Sequence, residues 1–247
     1  DSKSVIKHIV KDYHLADTVY KSSVVLGRIT MAKNLMQSPD QYAANRDYLM
    51  RDRFEKMFDM ARIYAGYNRR LVSANAMDFD DLLMKTNVLF KKHPEVLAKY
   101  QANFHYVLVD EYQDTNYAQY LIVKALAEPE NKICVVGDDA QSIYSFRGAD
   151  ISNILNFQKG YENAQLFKLE RNYRSTQTIV NAANSLIRHN KGQIPKTVYS
   201  ELKIGERISL STHMSDRDEA KMVANIIKQS PKSSWDDFAV MLPIPIF

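Results

Sequence analysis

Apolar positions in the first hundred residues recur three and four apart. SVIKHIVKDY (4–13) and YLMRDRFEKMFDMARIYAGYNRRLV (48–72) both carry this spacing, which lines one face of a helix and predicts an amphipathic helical region. Glycine is limited here to Gly27 and Gly66 and proline to Pro39 and Pro94, so long helices are possible. SPDQY (38–42) reads as a break, with Ser38 and Asp40 able to cap the helix that follows. In AMDFDDLL (76–83), Asp78 is placed to cap another helix, and the acids after it suit the positive end of the helix dipole.

Past residue 100 the pattern changes. HYVLVD (105–110), KICVVGD (132–138), AQLFKL (164–169), RISLST (207–212) and DFAVML (237–242) are short apolar runs. Helical stretches separate them at about 116–127, 150–159, 175–190 and 216–229. Strands alternating with helices predict an α/β fold whose parallel sheet is covered on both faces. Gly192 to Gly205, with Pro195 between, reads as a loop or linker.

Composition narrows the class without naming a function. The 247 residues are 45% hydrophobic and 25% charged, as in ordinary globular chains. No apolar run approaches the roughly 20 residues of a membrane-spanning helix. The single cysteine, Cys134, excludes an internal disulfide framework and a cysteine-rich zinc site, and a reducing, cytoplasmic setting is expected. Net charge is +4, unevenly placed: residues 1–100 hold 17 basic and 12 acidic side chains, the remainder 16 and 17. The basic part permits contact with a polyanion such as DNA. A solvated helical surface explains the same charges.

Chemistry concentrates where two apolar runs end in acids. In VLVDEYQDTN (107–116) a strand runs into Asp110 and Glu111. Ligand crevices of parallel sheets lie at the carboxyl ends of the strands. An Asp there holds Mg²⁺ beside a nucleotide's phosphates, and the next carboxylate can orient and deprotonate a water. A solvated acidic turn is the plainer alternative. In ICVVGDDAQSIYSFRGAD (133–150) a second strand ends in a Gly-Asp turn, followed by Gln141, Tyr144, Phe146 and Arg147. Gln141 can bond both a phosphate oxygen and a water. The aromatics offer faces on which unstacked bases sit, and Arg147 adds a phosphate or cation–π partner. Equally, Tyr144 and Phe146 read as core aromatics. The third cluster, LERNYRST (169–176), places Arg174 as a phosphate clamp and Tyr173 as a base-stacking ring. It also reads as a helix start capped by Ser175 or Thr176.

DEYQD, then GDDAQSIYSFRGAD, then LERNYRST, in this order and spacing, closely resembles the UvrD/PcrA/Rep group of superfamily 1 DNA helicases. AMDFDDLL and IPKTVYS (194–200) are similar to that group as well. The resemblance implies a P-loop NTPase motor of RecA-like domains that hydrolyses ATP and moves 3′→5′ on single-stranded DNA, in repair or replication. It implies that Asp110 holds Mg²⁺, Glu111 is the catalytic base and Gln141 senses the γ-phosphate. Tyr173 stacks on adenine and Arg174 contacts the γ-phosphate. Tyr144, Phe146 and Arg147 lie at the DNA. Position 146 is commonly Trp in the group, so stacking is weaker with Phe. The implied partners are single-stranded and duplex-junction DNA and repair or replication proteins, with no membrane.

The resemblance also divides the chain: an accessory helical domain over 1–76, part of a first RecA-like domain over 77–172, and the start of a second over 173–247. The phosphate cradle G-x-x-x-x-G-K-[ST] is not among the 247 residues. KGQIPKT (191–197) has one glycine and cannot form it. After WDDFAVML the group continues with an Arg-Thr-Asn-like segment, whereas this chain reads PIPIF (243–247). The chain is therefore expected to be the middle of a helicase and inactive by itself. Two other classes remain open: a non-catalytic DNA- or protein-binding module, and the motor part of an AddA/RecB-type helicase–nuclease.

Overall fold

A computed structural model of the chain describes residues 1–145, 148–161, 163–230 and 234–241. These form two compact units, residues 1–169 with 187–196, and residues 170–186 with 197–247. The PIPIF tail lies outside the described residues.

The first unit begins with helices α1 (Ser2–Asp12), α2 (Ser22–Asn34), α3 (Pro39–Ala44), α4 (Arg46–Phe54) and α5 (Met60–Ser73). Their inward stripes follow the sequence spacing: Ile6, Ile9 and Val10 on α1, and Met60, Ile63, Tyr64 and Tyr67 on α5. With Val25, Ile29, Ala32 and Tyr42 they make one core, each fully buried aliphatic side chain contributing about 1.5–3 kcal/mol. Ser38 caps α3 in a capping box with Gln41. The helical stretch 48–72 is divided between two helices, α4 and α5. The chain turns after Phe54 with Lys56 at φ 58°, and the Met57 N–H closes the end by donating to the Asp52 carbonyl at 2.7 Å. Met57 and Met60, on either side of the turn's end, are both buried.

Two charged networks sit inside this helical part. Arg28 pairs with Asp52 and Glu55, and Asp52 also accepts the Tyr42 hydroxyl. Lys33, 1% exposed, donates to Asp78 at 2.7 Å and lies 3.0 Å from Asp81. The Tyr67 hydroxyl donates to Asp78 at 2.8 Å. Asp78 is thus both the cap of α6 (Phe79–Lys92), in a capping box with Asp81, and the anchor of α6 to α2.

After α7 (Pro94–Asn103) come strand β1 (Val107–Val109), helix α8 (Tyr117–Ala127) and strand β2 (Ile133–Val135). The strands pair in parallel, with Val107 opposite Ile133, Leu108 opposite Cys134 and Val109 opposite Val135. α8 packs on α6, α7 and β1. Period-two alternation puts Val107, Val109, Ile133 and Val135 in the partly buried row, while Leu108 is 76% exposed. Among the described residues only one face of this sheet is covered, not both as expected.

The runs 164–169 and 207–212 are not strands, and 237–242 shows none as far as Met241, where description ends. An extended run becomes a strand only when a neighbour completes its ladder. Among the described residues the second unit has one parallel bridge, Arg171 to Tyr199. The short helices α9 (Ser152–Leu155) and α10 (Phe157–Gly160) precede it, and it contains α11 (Gln177–Ile187, except its last residue) and α12 (Asp216–Gln229).

Candidate nucleotide site at two strand ends

Parallel pairing brings the ends of β1 and β2 side by side, so the two acidic turns meet. Asp110 leaves β1 exposed, and its carboxylate accepts the Glu111 N–H at 2.8 Å. Glu111 is left-handed, at φ 50° and ψ 40°. That conformation costs a non-glycine residue about 1 kcal/mol or more. It is held by the Tyr112 N–H, which donates to the Val136 carbonyl at 3.0 Å, and by the Asp114 N–H, which donates to the Glu111 carbonyl at 3.0 Å.

Gln113 joins the turns. Buried to 1% exposure, it donates through Nε2 to the Glu111 carboxylate at 2.8 Å and accepts the Asp138 N–H on Oε1 at 3.0 Å. The Ser142 hydroxyl donates to its backbone carbonyl at 3.2 Å. A second fastening runs through Thr115, whose carbonyl accepts from the Asp150 N–H and from Asn153 Nδ2, both at 3.0 Å.

On the β2 side, Asp138 Oδ2 accepts from Gln141 Nε2 at 2.7 Å, and Oδ1 accepts the Ala140 N–H at 3.0 Å. Lys196 spans Asp138 and Asp139, and buried Asp139 also accepts the Ile194 N–H at 2.7 Å. Burial, the largest influence on Asp138, pushes its carboxyl up. Hydrogen bonds from Lys196 and Gln141 and the Lys196 charge outweigh it and hold Asp138 below the usual carboxylate range. Burial likewise lowers Lys196, but its two carboxylate partners raise it overall.

Asp110 and Glu111 line an open cleft of about 370 Å³ together with Val109, Asp114, Thr115 and Ile122. Asp114 Oδ1 is buried there without a hydrogen-bond partner. Among the described residues no three acidic, histidine or cysteine side chains form a metal cage. Exposed Asp110 and the unpartnered Asp114 Oδ1 are carboxylate oxygens, donors of the kind that hold a hard ion such as Mg²⁺ while it keeps most of its water.

Asp110, Glu111 and Gln141 thus belong to one strand-end region of the first unit. Tyr144 is part-exposed nearby in sequence, while Phe146 and Arg147 lie outside the described residues. Tyr173 and Arg174 belong to the second unit. Tyr173 is exposed, with the Arg171 guanidinium 4.7 Å from its ring centroid. The Arg174 and Ser175 N–H groups donate to the Asn172 side chain at 2.9 and 2.7 Å. At the start of α11 the Thr176 carbonyl accepts the Val180 N–H at 3.1 Å. The helix's first N–H groups, on Gln177 and Thr178, donate to the carbonyls of Lys203 and Ile204. Gly205, at φ +84°, lets that loop approach, since a Cβ would stand 2.4 Å from Thr176 Oγ1.

Sequence reasoning missed Gln113 and Lys196. Gln113 stands between the acids of DEYQD, and Lys196 in IPKTVYS, yet neither position reveals a partner 25 or 58 residues away.

Residues 1–162 match the UvrD/REP helicase N-terminal domain, and residues 167–242 match the UvrD-like helicase C-terminal domain. The chain belongs to the UvrD/REP helicase family. Among its relatives, the ATP-dependent DNA helicase PcrA of Leuconostoc citreum is 41% identical over 242 residues, covering 97% of this chain and 32% of the relative. The PcrA helicase of Staphylococcus aureus is 43% identical over 244 residues, covering 98% and 32%. That of Staphylococcus epidermidis is 43% identical over 245, with the same coverage. The chain therefore spans about a third of the length of the UvrD/REP relatives it matches. None of its described helices is long and apolar enough to cross a membrane.

Proposed function

We infer that this chain is part of an ATP-dependent DNA helicase that couples ATP hydrolysis to 3′→5′ movement on single-stranded DNA, in repair or replication. The observation that carries the reading is the junction of the β1 and β2 ends through Gln113, which ties the Glu111 carboxylate to the turn holding Gln141. This reading takes the two parallel strands and their helices as part of a RecA-like motor.

Phosphoryl transfer depends on positioning and on neutralising charge at the γ-phosphate. Asp110 would hold Mg²⁺ through water, and the ion would supply charge neutralisation between the phosphates. Glu111 accepts a proton from the attacking water, and its left-handed backbone turns the carboxylate toward Gln113. Gln141 presents its amide to the γ-phosphate or that water. In the second unit, Tyr173 is the proposed base-stacking ring and Arg174 the proposed phosphate contact. Tyr144, Phe146 and Arg147 are the proposed DNA contacts.

The test is ATP hydrolysis by the full-length protein with and without single-stranded DNA. Turnover is expected to rise with DNA and to vanish in Glu111→Gln while nucleotide binding persists. DNA-stimulated turnover that survives Glu111→Gln overturns the assignment. The 247-residue polypeptide by itself, which contains no G-x-x-x-x-G-K-[ST] loop, is expected to show no turnover.

A further inference from the structure

Lys196 is not explained by packing. Its side chain is 23% exposed, yet its ammonium is placed between two adjacent carboxylates, one nearly buried and one part-exposed. Asp139, at 3%, needs partners, and Lys196 Nζ at 2.8 Å and the Ile194 N–H at 2.7 Å provide them. Asp138 is the more informative neighbour. An ionised carboxylate only accepts hydrogen bonds, so it takes the Nε2 end of the Gln141 amide, at 2.7 Å. The Oε1 end is thereby turned away from Asp138, able to accept from a water. Without the ammonium, the two carboxylates repel, and the Ala140 N–H and the Gln141 amide itself are the hydrogen-bond donors left to hold Asp138.

Resting on the reading of Gln141 given above, we propose that Lys196 is a positioning residue for ATP hydrolysis. It clamps Asp138 and Asp139, and through Asp138 it sets which end of the Gln141 amide faces the reacting phosphate and water. The same clamp ties residues 194–196, which immediately precede the return to the second unit in sequence, to the turn that carries Gln141.

The experiment uses the full-length protein and measures kcat and KM for ATP in the presence of single-stranded DNA. Lys196→Met is expected to lower kcat about tenfold or more, as small misplacements of a reacting group do, with KM little changed. Lys196→Arg, which keeps the charge, restores most of the loss. Lys196→Met combined with Gln141→Ala is no slower than Gln141→Ala alone, because both act through one amide. Asp138→Asn keeps the side-chain shape without the charge, lowers kcat in the same way, and provides the test if Lys196→Met does not fold. An unchanged kcat, a loss that Arg does not restore, or losses that add to that of Gln141→Ala overturn the proposal. Glu111→Gln is run alongside. If it is inactive while Lys196→Met matches the parent, only the role of Lys196 fails. If it stays active, the reading of the acidic turns fails.

Discussion

A Cβ on Gly137 would stand 2.5 Å from Gln113 Oε1, and also 2.9 Å from the Ile154 side chain. The glycine at the end of β2 is therefore a matter of space: it admits the side chain that joins the two strand ends. Gly137→Ala is expected to push Gln113 off Asp138 and to cost about 1–3 kcal/mol, as overpacking does. Urea unfolding of the chain measures that loss, and an unchanged midpoint would show that Gln113 moves aside freely.

Replacing Gln113 itself separates shape from hydrogen bonding. Gln113→Met fills much of the same volume but cannot accept the Asp138 N–H. The amide of Asp138 should exchange with solvent deuterium faster in this variant than in the parent, and stability should fall by about 1–3 kcal/mol for the unsatisfied group. Equal exchange rates would mean that the 3.0 Å contact contributes no protection.

Lys33 sits among carboxylates that depend on it. Burial pushes the Asp78 carboxyl up more than any other single influence, yet the Lys33 hydrogen bond and charge bring it below its ordinary value. Lys33→Met leaves Asp78 and Asp81 without their cation and should destabilise the chain at neutral pH by about 3–5 kcal/mol. The pH dependence should then reverse. In the parent, the contribution of Asp78 is present above its unfolded value of 3.8 and is lost as pH falls through the still lower folded value. In the variant, protonation relieves two uncompensated carboxylates, so mild acidification stabilises it. Melting temperatures of both proteins check this: from neutral pH down to about pH 4 the variant should gain stability while the Asp78 contribution in the parent stays in place, and below 3.8 the parent should begin to lose it.

Tyrosines give the helical core an alkaline limit. Burial raises the Tyr42 phenol to about 12, with the nearby Asp52 charge adding to it. Tyr64 and Tyr67 are pushed up in the same direction, again chiefly by burial. Unfolded phenols ionise near 10.0, so above that pH the native state binds more protons than the unfolded one, and stability falls as pH rises. Tyrosinate absorbance should show a late, cooperative step coinciding with loss of helical circular dichroism. A single unperturbed titration near 10 with the helices intact would contradict it.

The local parts of this fold are readable from the chain because their causes are local. Ser38 and Asp78 bond to an N–H three residues on, so a four-residue window contains the whole reason for the cap. VLV and ICV end in charged turns and do pair. AQLFKL and RISLST look much the same in composition yet form no strand, because a ladder depends on what lies alongside. The break between α4 and α5 contains no glycine or proline. What closes it is left-handed Lys56 and the Met57 N–H bonded back to Asp52, neither of which the apolar spacing reveals. At the site, the acids at strand ends stand out as a pattern, whereas Gln113 and Lys196 gain their meaning only when Asp138 is beside them.

That the first compact unit resumes at residues 187–196 bears on how the protein can be taken apart. A gene truncated after Leu169 would encode every helix of the core and both strands, but not Lys196 or Ile194. Asp139 would lose the ammonium and the N–H that now satisfy it, and Asp138 would lose its only cationic neighbour among the described residues. Such a polypeptide would carry the acidic turns without the latch that closes them. Dissection at the obvious boundary would thus remove a piece of the unit it was meant to isolate.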